Sequence, residues 1–160
     1  MKMVSVVWIV LMLGVNYGAL ASHKESALTK QEAIQKMETL YQWLNFISNP
    51  KNPFVPEDVE KYFTPHFQMI MNGTLKTKDY KTLTDHFEHF RKSKYILSGG
   101  LPFEEILLVP EEKKIIVKYD LQKNYHDGAK QDSRVIAIFT IEDDGRVSRM
   151  NEVVHSSEKY

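Results

Sequence analysis

The sequence has no cysteine among its 160 residues. That excludes a disulfide scaffold, a thiolate zinc site, a thiol nucleophile and a lipid-modified cysteine. It has no excess of either charge, with 21 Lys+Arg against 21 Asp+Glu. A neutral chain is not built chiefly to neutralise nucleic-acid phosphates, so no nucleic-acid partner is expected. No serine stands in a glycine-flanked nucleophile elbow, and no glycine-rich phosphate loop is present. The chain shows no internal repeat, linker or low-complexity stretch. Its apolar run, Val4 to Val15, falls short of the roughly 20 residues a membrane span needs.

What is present begins with an address. Met1-Lys2-Met3 is short and basic, Val4 to Val15 is apolar, and Ala19-Leu20-Ala21 offers the small residues that signal peptidase fits. This order predicts a secretory signal peptide over residues 1–21 and a single domain over 22–160; an uncleaved anchor is the alternative. The expected product is secreted or periplasmic, with no stable membrane anchor after cleavage. Without cysteine, an exported domain rests on its core alone, for which ~140 residues suffice. Hydrophobic residues at 42% supply that core.

Thr29 followed by Glu32 is a capping box. Ala33, Ile34, Met37, Leu40, Tyr41, Leu44 and Ile47 then recur at helical spacing, until Asn49-Pro50-Lys51-Asn52-Pro53 stops the helix. Pro56 opens a short helix expected to run to Phe63 and to end at Thr64-Pro65. The segment from Phe67 to Met71 reads as a strand, Asn72-Gly73 as its hairpin turn and Thr74 to Lys78 as the return. A third helix starts at Lys78 or Asp79, with Tyr80, Leu83, Phe87 and Phe90 on its apolar face and His86 at the margin. The period then changes to two. Strands are predicted over 103–109, 115–122, 133–141 and 147–155, separated by turn signals. Helices in the first half and strands in the second make an α+β domain, with helices packed on one face of an antiparallel sheet.

This order resembles the nuclear transport factor 2-like superfamily, which includes SnoaL-like polyketide cyclases, ketosteroid isomerases and scytalone dehydratase. The resemblance is carried by Tyr62-Phe63-Thr64-Pro65-His66-Phe67-Gln68-Met69-Ile70-Met71-Asn72-Gly73, by Leu83-Thr84-Asp85-His86-Phe87-Glu88-His89-Phe90 and by the closing stretch Gly145 to Glu152. It implies a cone, with N-terminal helices on a curved sheet, a pocket inside and often a homodimer packed through the sheet. It implies no particular reaction, because the fold hosts enzymes and binding modules alike. The expected role is binding of a small apolar ligand or a protein partner through the pocket or the sheet face, the alternative is a lyase, isomerase or cyclase moving one proton with His86, and no cofactor is expected.

Candidate catalytic residues are His86 and Asn72. His86 beside Leu83, Phe87 and Phe90 can exchange a proton near neutral pH; otherwise it is a core-edge histidine bonded to backbone. The Asn72 amide can hold a carbonyl or enolate oxygen, although turn chemistry alone explains an Asn before Gly. Asn72-Gly73-Thr74 is also a glycosylation sequon. The expected pocket lining is Tyr41, Phe63, Phe67, Phe90, Tyr119 and Glu152. On the last strand Ser148, Met150, Glu152 and Val154 share one face and Arg149, Asn151, Val153 and His155 the other. Both faces are mixed, so Glu152 is either a buried base or, as its type favours, an exposed residue. The aspartate base and tyrosine–acid pair of ketosteroid isomerases have no evident match in the sequence. Trp43 lies off the helical stripe, where it can cover a pocket mouth. His86 and His89 are one helical turn apart without a third ligand, so no metal is expected.

Overall fold

A computed structural model describes residues 28–160. The signal peptide expected over 1–21 lies outside the described residues. Helix α1 (Lys30–Ser48) starts at the Thr29 capping box, formed as the sequence predicts. A 3₁₀ turn (Pro56–Lys61) with Pro at its start leads into β1 (Phe63–Met71). Asn72 and Gly73, at φ 48° and 76°, make the tight turn to β2 (Thr74–Thr77). Helix α2 (Tyr80–Arg91) follows, capped by Asp79. The rest is strand: β3 (Tyr95–Gly99), β4 (Glu105–Val109), β5 (Lys114–Tyr125), β6 (Lys130–Ile141) and β7 (Val147–Ser156).

The strand order is β2-β1-β7-β6-β5-β3, with β4 pairing the other half of the same β5 edge. The sheet is curved and unclosed, with the helices on one side, so the α+β architecture read from the sequence is the one observed. Its refinement is one parallel pair: β1 runs alongside β7 in the same direction, which makes the sheet mixed. The chain reaches that arrangement because the α2 and β3–β6 segments intervene between the two strands, as a parallel neighbour requires.

Three local expectations change. Thr64-Pro65 does not end a helix but lies within β1, where the pairing with β7 breaks register between Phe63 and Gln68. Proline is tolerated where no ladder donor is needed. Tyr95–Gly99 is a strand that the short, mixed segment does not announce. Phe103 lies in the loop before β4, not in the strand.

The core sits between α1 and the concave face of the sheet. Ala33, Met37, Leu40 and Tyr41 of α1 meet Ile115, Val117 and Tyr119 of β5 and Val135, Ala137 and Phe139 of β6. Burying each large apolar side chain stabilises the fold by about 1.5–3 kcal/mol. The far end of α1 is tied by Arg91 of α2, whose guanidinium donates to the carbonyls of Ile47, Asn49, Pro50 and Asn52. It thereby satisfies helix-end carbonyls that have no intrahelical partner.

Candidate functional site

The polar atoms that matter are in the middle of this core. On β7, the period of two turns Met150, Glu152 and Val154 toward α1. Glu152 is 8% exposed, so the exposure its residue type favours is not what the fold gives. Its Oε1 accepts a hydrogen bond of 3.0 Å from the Tyr119 hydroxyl of β5. Burial raises the Glu152 pKa, and the Tyr119 bond offsets part of that rise. Burial first, then the neighbouring Tyr41 and Glu152, holds Tyr119 protonated far above the usual tyrosine range.

Tyr41 reaches the same place from α1. Its ring meets Phe103, Tyr119 and Phe139 edge-on, at centroid distances of 5.0, 5.0 and 6.2 Å. Its hydroxyl is buried without a hydrogen-bond partner. The Tyr119 hydroxyl lies close enough to act on Tyr41 as a weak polar neighbour, which lowers its pKa a little, but the contact falls short of hydrogen-bond geometry. Burial, reinforced by Glu152, keeps Tyr41 protonated. A phenol that donates to nothing beside a tyrosine–acid pair is costly in an apolar interior.

An open groove of about 900 Å³ lies at the Phe103 loop; Tyr41, Tyr119 and Glu152 do not line it. Phe103 belongs to both places: it lines the groove and packs on Tyr41 and Tyr119. The groove's other walls include Leu101, Leu121, Asp120, Arg134 and His155. The chain turns into the Phe103 loop at Gly99 and Gly100, both at positive φ. A Cβ on Gly100 would stand 2.7 Å from Cδ1 of Tyr41. Gly100 therefore lets the loop backbone lie against the Tyr41 ring.

The other candidates are dispersed. Phe63 and Phe67 are buried, 4.5 Å apart between centroids, in a second aromatic group with Trp43 and Phe87. Trp43 stacks on Tyr62. Phe90 is half-buried and meets Tyr95 at the sheet edge. His86 is half-buried on α2, and its pKa is lowered by burial, then by His89 and Lys76. No hydrogen bond joins it to Tyr119 or Glu152. Asn72 is exposed and latches β7 through Val154, donating to its carbonyl at 3.2 Å and accepting from its N–H at 2.8 Å. Its backbone N–H also donates to the Glu152 carbonyl at 2.9 Å, but its side-chain amide is committed to the Val154 backbone and does not reach the Glu152 carboxyl. Of the expected lining, the structure thus brings together Tyr41, Tyr119 and Glu152, and adds Phe103 and Gly100. The Gly99-Gly100 pair was the one sequence signal that could have marked that loop.

Among the described residues, no group of three or more His, Cys, Asp or Glu side chains could hold a metal ion. No described helix is long and apolar enough to cross a membrane.

No protein-family sequence profile matches the chain, and no curated protein matches it in sequence. Solved structures do match. AusH from Aspergillus nidulans superposes with a TM-score of 0.59 at 12% identity, covering 81% of this chain and 88% of its own. An NTF2-like protein of unknown function from Exiguobacterium sp. 255-15 gives 0.59 at 9% identity, over 77% and 98%. A putative SnoaL-like polyketide cyclase from Jannaschia sp. CCS1 gives 0.56 at 15% identity, over 75% and 85%. This chain has the nuclear transport factor 2-like fold. The buried, hydrogen-bonded Tyr119 and Glu152 come from the two strands that flank β6 in this sheet.

Proposed function

We propose that this nuclear transport factor 2-like domain binds a small apolar molecule carrying a hydrogen-bond-accepting group, such as a carbonyl, at the Tyr41–Tyr119–Glu152 cluster. The observation that carries the reading is the buried Tyr41 hydroxyl without a partner. A bound acceptor would satisfy it, and the aromatic walls suit an apolar body. A specific observation supports a second reading. A buried carboxyl with a raised pKa, bonded to a phenol, is equipped to move one proton, so a lyase, isomerase or cyclase is the alternative. In that reading Glu152 replaces His86 as the acid–base residue, and Tyr41 replaces Asn72 as the oxyanion donor.

The test is native mass spectrometry of the protein isolated without denaturation from its own host. One organic adduct per chain is expected, with Tyr41→Phe folding normally and losing it. Adduct-free wild type, or an adduct retained equally by Tyr41→Phe, overturns the reading. Turnover of the identified molecule, abolished in Glu152→Gln, separates enzyme from binding module.

Two further proposals accompany it. The chain is exported as residues 22–160, which N-terminal sequencing of the exported protein reads directly. It pairs as a homodimer through the outer sheet face, where Leu107, Ile116 and Ile138 stand in register across β4, β5 and β6. Ile136 and Val153 adjoin them at 44% and 60% exposure. Such a row of exposed apolar side chains supports an interface. Light scattering on wild type and Ile136→Glu decides it.

A further inference from the structure

The second feature that the binding site leaves unused is a segregation of charge along the long strands. Strands β5 and β6 are each 12 residues long, about 36 Å at ~3.3 Å per residue. At one end, the β4–β5 and β6–β7 turns gather Glu111, Glu112, Glu142, Asp143 and Asp144, of which Glu112, Asp143 and Asp144 pair with Lys114, Lys113 and Arg146 of the same turns. At the other end stand Lys92 and Lys94 after α2, Lys123 on β5, Lys130 on β6 and Lys159 in the C-terminal tail. Pairing binds that end together. His126 N–H donates to the Lys94 carbonyl, Tyr95 is opposite Tyr125, Asn124 is opposite Lys130, and the Lys130 and Tyr160 backbones exchange two hydrogen bonds.

Most of the protein's ion pairs lie elsewhere, as in Lys61–Asp58, Lys81–Asp85, Lys118–Glu104 and Arg146–Asp144. At the lysine end, among the described residues, five lysines stand against three acids, only one of which is ion-paired. Asp127 holds Lys159, and Asp132 accepts from Gln122 and Tyr160. Glu158 is the further acid nearby. Lys92, Lys94, Lys123 and Lys130 form no ion pair with any described carboxylate. Two ammonium groups rest on tyrosine faces, Lys123 on Tyr95 at 5.4 Å and Lys159 on Tyr125 at 4.3 Å. The aromatic shelf holds positive charge outward at little entropic loss.

We propose that this end of the domain is an interaction surface for anionic phospholipid headgroups. Three features favour a lipid surface over a nucleic acid. The free cations are lysines, point charges that suit phosphates without base recognition, while the nearby Arg91 is spent on backbone carbonyls. Tyr95 and Tyr125 are covered by ammonium groups and are not open for base stacking. The opposite end carries a small excess of acids, five against the three bases Lys113, Lys114 and Arg146, so an anionic plane favours the lysine end.

The experiment is co-sedimentation of the full domain with vesicles of phosphatidylglycerol in phosphatidylcholine, and with phosphatidylcholine alone. Binding is expected to the first and not the second, falling as salt is raised. Lys92→Gln, Lys94→Gln, Lys123→Gln and Lys130→Gln should each weaken it about fivefold, the worth of one lysine near an anionic surface. Lys76→Gln, on β2, should leave it unchanged. Equal binding to neutral vesicles, absence of binding, or no loss in the four variants overturns the proposal. So does binding to a single-stranded oligonucleotide that the four variants lose while vesicles are ignored. Circular dichroism of each variant verifies the fold.

Discussion

Removing one oxygen from each of two neighbouring tyrosines should change stability in opposite directions. The rings of Tyr41 and Tyr119 are 5.0 Å apart, and both residues are about 5% exposed or less. Tyr41→Phe keeps the three edge-on ring contacts and deletes a hydroxyl that has no partner. Burying such a group unpaired costs about 1–3 kcal/mol, so the variant should gain about 1–2 kcal/mol. Tyr119→Phe deletes the hydrogen bond to Glu152 and leaves a buried carboxyl unsupported. Such a bond is worth about 0.5–1.5 kcal/mol to a neutral carboxyl and about 1.5–3 kcal/mol to a carboxylate, so this variant should lose about 1–3 kcal/mol. For a domain of this size, 1 kcal/mol moves Tm by about 4 °C. Urea unfolding with a common m-value reads both.

Glu152 supplies a second dimension to that experiment. Its folded pKa lies above its unfolded value, so the folded state holds the proton more tightly. Its contribution is fully favourable below the ordinary glutamate range and declines as pH rises from that range through the folded pKa. Glu152→Gln should flatten that decline. The Tyr119→Phe deficit should shrink in acid, where the neutral carboxyl needs its partner less. A loss above 1 kcal/mol in Tyr41→Phe would show that its hydroxyl is satisfied, and a pH-independent deficit in Tyr119→Phe would show that Glu152 is not titrating in the core. Either result refutes the reasoning behind the proposed site.

Two further outcomes test the frame around it. Arg91→Ala should lose about 2–4 kcal/mol in thermal or urea unfolding, because four carbonyls and the Phe54 face, 5.7 Å from the guanidinium, lose one shared partner. Arg91→Lys should restore little, since a single ammonium cannot span the same fork. Gly100→Ala should cost more than Gly128→Ala. Both have positive φ, which costs about 1 kcal/mol for alanine, but only at Gly100 does the new Cβ meet a buried ring, at 2.7 Å.

The sequence alone determined the periodic parts. The helical stripe from Ala33 to Ile47, the Thr29–Glu32 capping box, the Asn72-Gly73 turn and the alternation of β5 are local patterns that need no distant partner. They were enough for the α+β order and for the resemblance to this fold. Tyr41, Phe63, Phe67 and Tyr119 were legible as interior residues for the same reason. Glu152 was not, because both faces of β7 mix polar and apolar side chains, and composition cannot say which face a helix will cover. Only the placing of β7 between β1 and β6, beneath α1, turned it inward. His86 and Asn72 were read from local chemistry, whereas α2 leaves His86 at the core edge and the Asn72 amide closes on the Val154 backbone. The cluster of an acid and two phenols exists only in three dimensions, since α1, β5 and β7 contribute one group each. The interior's low polarity, which only folding creates, is what gives those three groups their altered ionisation.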